Sequence, residues 1–460
     1  MAKRPPVIVD TAGRPLRTPA QAHYEAAKLT RRTSGWHTRA TGPNREIRAD
    51  LHKLRDRHRD LARNNPWVRK AIAAIVHNTI GHGVRAQWST PEVQQRWSAW
   101  FESTAIDADG HHNGYGLQAL ILRTVVESGE CLIRRRPRRP RDGLPLPLQI
   151  QVLEPDFLDT AKHEELANGG IIRQGVEFDR LGRRVAYWLY PEHPGDAVRG
   201  VPGQSKRYGA EAFLHVYRLD RPGQVRGVPW GTGAMLRARM LDDYQDAQLE
   251  RQRLAACYVA FVRDTELPAD AAPLDDYELL DRLEPGAIEL LPAGKDVSFA
   301  SPPQPEDDER FTNQTLRAIA ADYGIPFEVL TGDLSEVNFS SARMGQQEFA
   351  RAIDVWRWQL LAPQAWDPIA RWFAAALALD GLAPAGEPRW SAPARTLVDP
   401  SREIPALRTA IRAGLISLPE AIRQAGYDPE TLARDQAAYL DVLDRLGVRF
   451  DSDAREGRVG

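Results

Sequence analysis

Four carboxylates, Asp242, Asp243, Asp246 and Glu250, are the residues whose spacing most invites chemistry. On a helix Asp242, Asp246 and Glu250 fall at i, i+4 and i+8, and Asp243 lies within about 100° of them, so one face is acidic. Such oxygens suit a divalent cation, and a metal-dependent nuclease would use them to activate water and steady a phosphate. Carboxylates strung along a straight helix converge poorly on one ion, however. Arg239 enters the same arc four residues before Asp243, a pairing that needs no metal. A solvated or interface face is therefore the first reading, a helix lining a passage for DNA the second, and a metal site the last.

The other constellations are weaker. Arg134-Arg135-Arg136-Pro137-Arg138-Arg139-Pro140-Arg141 is the strongest charge run. Basic runs attract phosphates by releasing counterions, but its two prolines point to a solvated hairpin connection ahead of contact with DNA or an acidic neighbour. His77 and His82 stand five apart, His111 and His112 sit in a Gly/Asn-rich turn, and no H-E-x-x-H or C-x-x-C accompanies them, so no zinc site is expected. Gly227-Val228-Pro229-Trp230-Gly231-Thr232-Gly233 lacks the Gly-Lys-Ser/Thr of a phosphate loop and reads as the turn before a helix. There is no Gly-x-Ser-x-Gly and no nucleophile–base pair. No catalytic residue, cofactor or enzyme activity is expected. Trp356, Trp358, Trp366, Trp372 and Phe373 lie in an Ala/Leu-rich stretch and read as core, since single-strand binders interleave aromatics with basic residues.

Composition sets limits around these residues. At 460 residues, 42% hydrophobic and 27% charged, the chain has material for two to four domains and a large core. Its formal charge of −1 is unlike the basic balance of a protein built to grip duplex DNA. Positive charge is nearly all arginine, the lysines being Lys3, Lys28, Lys53, Lys70, Lys162, Lys206 and Lys295; arginine suits bidentate pairing at interfaces, though codon bias gives the same result. Cys131 and Cys257 read as small buried hydrophobes in a reducing compartment. The start, Met-Ala-Lys-Arg-Pro-Pro, has no apolar run behind it, and nowhere does one approach the ~18 residues of a membrane span. The expectation is a cytosolic product with no membrane partner.

Periodicity then supplies the elements. Residues 1–45 are aperiodic and read as an extended arm. Leu51, Leu54, His58 and Leu61, then Val68, Ile72, Ile75 and Val76, mark two helices divided at Asn65-Pro66. Helices follow over 94–101 and 117–126. Between 130 and 220 strands are expected at Glu130–Arg135, Leu148–Leu153, Ile171–Phe178 and Val185–Tyr190, the last two joined through Asp179-Arg180-Leu181-Gly182. Helix returns from Thr232 to Ala256. Short strands at 258–262 and 287–291 and a helix near 274–283 precede Pro302-Pro303-Gln304-Pro305. Helices over 306–323 and 342–378 flank a polar loop. The second carries Phe349, Ile353, Trp356 and Leu360 on one stripe and should kink at Pro363 and Pro368. Residues 403–446 are again helical. The fold class is α+β, mostly helical.

That loop and its flanks read Gly324-Ile325-Pro326-Phe327-Glu328-Val329-Leu330-Thr331-Gly332-Asp333-Leu334-Ser335-Glu336-Val337-Asn338-Phe339-Ser340-Ser341-Ala342-Arg343. The segment resembles the tunnel loop of lambda-type bacteriophage portal proteins, with Phe327 and Phe339 where tyrosine is common. The likeness continues in Arg63-Asn64-Asn65-Pro66, in the stretch from His215 to Trp230, in Val398-Asp399-Pro400-Ser401-Arg402-Glu403, in the Ile-Arg-x-Gly-x-Ile-Ser turn at 411–417 and in Ala425-Gly426-Tyr427-Asp428-Pro429-Glu430.

The resemblance implies a portal fold of wing, stem, clip and crown, assembled as a ring of twelve around a DNA channel. It assigns 1–45 to an N-terminal arm, 46–228 with 343–395 to the wing, 229–255 and 306–326 to the stem helices, 256–305 to the clip, 327–342 to the tunnel loop and 396–460 to the crown. Implied partners are further copies of the chain, double-stranded DNA, the terminase large subunit, head-completion proteins and the major capsid protein, in the virion after assembly in host cytoplasm. Asp333, Ser335, Glu336, Asn338, Ser340, Ser341 and Arg343 would face DNA from the loop, and Asp242, Asp243, Asp246 and Glu250 from the stem. The alternatives are a metal-dependent DNA-processing enzyme and another capsid-associated structural protein.

Overall fold

The computed structural model describes residues 11, 25–27, 30–197, 203–256, 260–264, 295–299, 308–335, 339–394, 399–450 and 453. Helix α1 (Pro43–Asn64) ends where Asn65 adopts an extended backbone, φ −95° and ψ 121°. A proline at i+1 drives its predecessor out of the helical region. Asn65 then caps α2 (Pro66–Ile80) by accepting the Val68 N–H at 2.8 Å. Strand β1 (Arg85–Gln87), α3 (Pro91–Phe101) and α4 (Gly114–Ser128) follow. The expected stripes of α1 and α2 face inward: Leu51, His58, Leu61, Val68, Ile72, Ile75 and Val76 are buried. Trp97 of α3 stacks on Phe101 with ring centres 4.6 Å apart.

The β-rich part holds two sheets. β2 (Glu130–Pro137) is central in a three-stranded antiparallel sheet, between β3 (Leu148–Leu153) and the later β9 (Phe213–Tyr217). A five-stranded meander comprises β4 (Glu164–Glu165), β5 (Ile171–Arg173), β6 (Val176–Phe178), β7 (Arg184–Leu189) and β8 (Lys206–Gly209). The single strand expected over Ile171–Phe178 is thus a hairpin. It turns at Gln174 and Gly175, whose φ values of 52° and 81° match the left-handed turn that antiparallel strands favour. The strand expected over Glu130–Arg135 runs on through Arg136 and Pro137, so the connection takes only the rest of the arginine run, from Arg138. The Arg134 guanidinium lies 5.1 Å from the Tyr208 ring centre, where its charge meets the π face.

Helix α5 (Met235–Ala256) leads to a described antiparallel hairpin of β10 (Ala260–Asp264) and β11 (Lys295–Phe299), and α6 (Asp308–Tyr323) returns. The helix expected near 274–283 and the strand at 287–291 lie outside the described residues, as do Cys257 and nearly all of 1–29. After the short α7 (Phe327–Thr331), α8 (Phe339–Val355) continues as a π-helix over Trp356–Trp366 and then as α9 (Asp367–Ala378). The wider winding accommodates Pro363, which has no N–H to donate and would crowd the preceding turn of an α-helix. Pro368 is the second residue of α9, directly after the π-helix. Phe349, Ile353, Trp356 and Leu360 are all buried, as their spacing required. Of the five aromatics read as core, Trp356, Trp366, Trp372 and Phe373 are buried and only Trp358 is exposed.

One large core joins α2, α3, α4, the inner face of the three-stranded sheet, the roots of α5 and α6, and the helix from α8 to α9. A smaller core including Leu132, Val176, Tyr187 and Phe213 lies between the two sheets. β12 (Arg389–Ser391) pairs with β1. The C-terminal helices α10 (Pro400–Arg412), α11 (Leu418–Gln424) and α12 (Pro429–Leu446) bury only Ala421 and Leu443 among their described residues. No described helix is long and apolar enough to cross a membrane.

Candidate functional site

Helix α5 is 22 residues long, about 33 Å at 1.5 Å per residue. Its first turns are buried through Met235, Ala238 and Leu241, and α6 is buried through Leu316, Ile319 and Tyr323 at its far end. Beyond these residues the two helices leave the core together, with Tyr244 packed edge-on against Phe311 at 5.0 Å. Leu236 and Met240 on the outer side of α5 are 71% and 70% exposed, which makes this face apolar near the core and charged further out.

The acidic group of α5 divides. Asp242 is half-buried and turned toward α1 and α2, accepting a hydrogen bond from Asn65 Nδ2 at 2.8 Å. Asp243, Asp246 and Glu250 are exposed. Asp243 pairs with Arg239 at 2.8 Å and Glu250 lies 3.6 Å from Arg253, so the outer stripe carries both signs. The four carboxylates do not converge. Among the described residues the group with metal-ligand spacing is elsewhere, at Glu154, Asp156 and His193. There Arg59 Nη2 already lies 2.8 Å from Glu154 and 2.6 Å from Asp156, so a guanidinium takes the place a cation would need.

The base of the helix pair is a polar joint. His58 Nδ1 donates to the Glu127 carbonyl at 2.7 Å, which leaves Nε2 to accept from the Tyr323 hydroxyl at 2.6 Å. Burial pushes His58 down to about 4, in keeping with this neutral tautomer. Asp322 Oδ2 accepts the Ala234 N–H at 2.9 Å and satisfies one of the open donors at the start of α5. The glycine-rich turn is shaped for close approach: a Cβ on Gly231 would meet the Tyr323 ring, and one on Gly233 would meet Asp322. Its reading as the turn before a helix is supported.

The polar loop is shorter than its sequence pattern. Gly332 closes α7 in the left-handed region at φ 77°. The Asp333 carboxylate then accepts the Ser335 N–H at 2.9 Å, a contact that lowers its pKa. Both residues are exposed. Glu336 and Asn338 lie outside the described residues. Helix α8 has begun by Phe339, so Ser340, Ser341 and Arg343 belong to its first turns and not to a loop.

A second polar centre escaped the sequence reading. Glu130, at the start of β2, is fully buried; the Arg226 Nη2 lies 2.6 Å from it, Arg55 Nη2 2.9 Å and His215 Nε2 2.8 Å, and the Gly227 N–H completes the set at 2.9 Å. Burial alone would raise this carboxyl, but the Arg226 charge, the His215 hydrogen bond and the Arg55 charge hold it well below the usual range. His215 is pushed down to about 4 by burial. Neutral, it donates from Nε2 to Glu130 and accepts at Nδ1 from Arg184 at 3.1 Å. The signal was present: a lone carboxylate in Gly129-Glu130-Cys131-Leu132-Ile133 has to find a cation once the strand is buried.

Residues 29–357 match the phage portal protein, lambda family, and the chain belongs to that family. It is 25% identical over 480 residues to the probable portal protein of Halomonas phage phiHAP-1, covering 92% of this chain and 87% of that one. With portal protein B of Escherichia phage lambda it shares 26% identity over 208 residues, 38% of each chain. Among solved structures it is similar to a chain from the virion of a native gene transfer agent particle, with a TM-score of 0.49 and 15% identity over 83% of this chain and 94% of that chain. A chain from the neck of the native particle, computed with C12 symmetry, gives 0.49 and 14% over 80% and 93%.

Proposed function

We propose that the chain assembles into a closed ring, of twelve copies, around a channel through which the viral genome is packaged and later leaves. The carrying observation is the helix pair α5–α6. It is fixed at its base by the His58, Asn65 and Asp322 contacts, yet leaves the core with exposed Leu236 and Met240. An isolated subunit gains little from holding such a pair in water; neighbours in a ring would cover the apolar part and leave the charged part along a passage. In this reading 229–255 and 306–326 form the stem, 46–228 and 343–395 the wing, 256–305 the clip and 396–460 the crown. Asp333 and Ser335, with Glu336, Asn338, Ser340, Ser341 and Arg343, border the channel.

The role is structural and not enzymatic. A separate terminase ATPase would supply the work and dock at the clip, later exchanged for head-completion proteins, while the wing meets the major capsid protein. A channel wall of mixed sign suits this task. Each lysine or arginine held against a phosphate must be released at every step, and binding rises steeply with the number of such contacts.

Electron microscopy of the purified chain tests the ring. The expected image is a closed ring with a channel of about 20 Å or more, the width duplex DNA requires on B-form groove dimensions. A monodisperse 51.5 kDa monomer across protein and salt concentration would overturn it. Deleting Ser335–Ser340 should give normal rings and impaired packaging; loss of the ring itself would make the segment an intersubunit contact.

A further inference from the structure

Helices α10 and α12 each pack against the short α11, which stands between them. Both longer helices are amphipathic, and neither has its apolar stripe covered. On α10 the stripe is led by Ile404 and Leu407, both exposed. On α12 Tyr439, Val442 and Leu446 are exposed at i, i+3 and i+7, the spacing of one helix face. Leu443 of α12 and Ala421 of α11 are the buried residues of this region. The three helices are therefore joined at α11 and open on both flanks.

The two open flanks differ in sign. α10 carries three arginines and one glutamate, and α12 carries four carboxylates and two arginines. Local contacts engage part of each set: Arg402 pairs with Asp399 at 3.4 Å, Glu403 accepts the Asp399 N–H at 3.2 Å, and Arg434 pairs with Glu430 at 3.3 Å. Arg408 and Arg412 of α10 are exposed and pair with no carboxylate among the described residues, and Asp435 of α12 is exposed and pairs with no cation among them. Arg408 lies one turn after Ile404 and Asp435 one turn before Tyr439, so each open charge borders its helix's apolar stripe.

We propose that in the ring the α10 face of one copy seats the α12 face of the next, Ile404 and Leu407 against Tyr439, Val442 and Leu446, with Asp435 facing Arg408 and Arg412. The inference rests on the ring reading above and names a contact that would close it. Sign decides the pairing: α10 on α10, or α12 on α12, sets like charges side by side, whereas α10 on α12 matches them. The two faces belong to different helices, so the contact is heterologous; each copy offers one of each, and a closed ring leaves neither open. A foreign partner would cover one stripe and leave the other in water.

The test is cross-linking of the full-length protein with a short bis-maleimide, read on denaturing gels, with the wild type as control for Cys131 and Cys257. Leu407→Cys/Val442→Cys should give a ladder of linked copies that runs past the dimer. Each single variant should give no links alone, and the two mixed should give dimers only. Charge exchange is the second readout, by light scattering: Asp435→Arg should weaken assembly severalfold, as should Arg408→Asp/Arg412→Asp, and the triple variant should regain wild-type assembly. All these positions are exposed, so the variant subunits should melt with the wild type. Links within one copy, links of a single variant to itself, or rings that form without links and ignore charge exchange overturn this contact, the last leaving the ring itself standing. A wild type that stays monomeric overturns the ring reading and the contact with it.

Discussion

The body around β2 and the C-terminal helices α10–α12 solve the same problem in opposite ways. Around β2 the chain closes on itself: Glu130, Arg226 and Arg55 are fully buried and each finds its partners within the subunit. In α10–α12 and their connections the sequence is no less amphipathic, yet Ile404, Leu415, Leu418, Tyr427, Tyr439 and Leu446 are all more than half exposed. Buried apolar area is what stabilises a helix of this length. The difference teaches that the first region is finished as a monomer, while the second carries a face that only other chains could cover, as the proposed ring would provide.

The sharpest way to break that contrast is to attack the closed centre. Glu130→Ala leaves the buried Arg226 without a counter-charge and Arg55 with Asp156 alone, and breaking a buried pair from one side costs about 3–5 kcal/mol. Chemical denaturation should show a loss of that size; an unchanged midpoint would mean the centre is not the keystone the geometry makes it. On the other side of the comparison, truncation after residue 398 should leave the midpoint of the remaining body nearly unchanged and weaken ring formation, read by light scattering. Collapse of the body would show that the C-terminal helices are part of its core after all.

Acid should act on the closed region through its buried histidines. His58 and His215 are both held neutral with values near 4, against an ordinary value of 6.5. Below pH 6.5 the unfolded chain takes up protons that the folded chain refuses, so stability falls as the pH drops from 6.5 toward 4. Glu130, depressed by its cations, adds a loss below its ordinary value of 4.5. A thermal midpoint that declines between pH 7 and 5, and declines less in His215→Gln, is the expected result. A flat profile over that range would remove the two histidines from the account.

Much of this was legible from spacing. The stripes of α1, α2 and α8, the break at Asn65-Pro66 and the turn from Gly227 to Gly233 follow from periodicity and backbone chemistry, which are local. What was not legible is the choice of partner across the fold. Nothing in the sequence joins Glu130 to Arg226, 96 residues away, or His58 to Tyr323, 265 away. The π-helix was read as a kink because a proline announces a disturbance without saying which winding absorbs it. The hairpin at Gln174-Gly175 was missed because glutamine is not a residue that advertises a left-handed turn. For the site, the family's motif identified the loop, but the helix start at Phe339 depends on packing that the motif does not encode.

The finest test of the comparison lies in two adjacent residues. Asp242 and Asp243 look equivalent in sequence, and the acidic-face reading treated them alike. Asp242 accepts from Asn65, the residue that also caps α2, so Asp242→Ala strands a part-buried donor at the joint and should cost about 1 kcal/mol. Asp243 holds only the exposed pair with Arg239, and Asp243→Ala should change stability by no more than about 0.5 kcal/mol. Neither substitution should remove a magnesium-dependent cleavage of DNA, since the purified wild type should have none. The ordering of the two costs is the decisive readout, from paired denaturation curves of the single variants. Equal small costs would mean that the Asn65 contact adds nothing and that α5 is anchored by its apolar root alone. A larger cost at Asp243, appearing only in the assembled ring, would place that side chain in a contact between neighbouring subunits and turn the charged stripe from a channel wall into an interface.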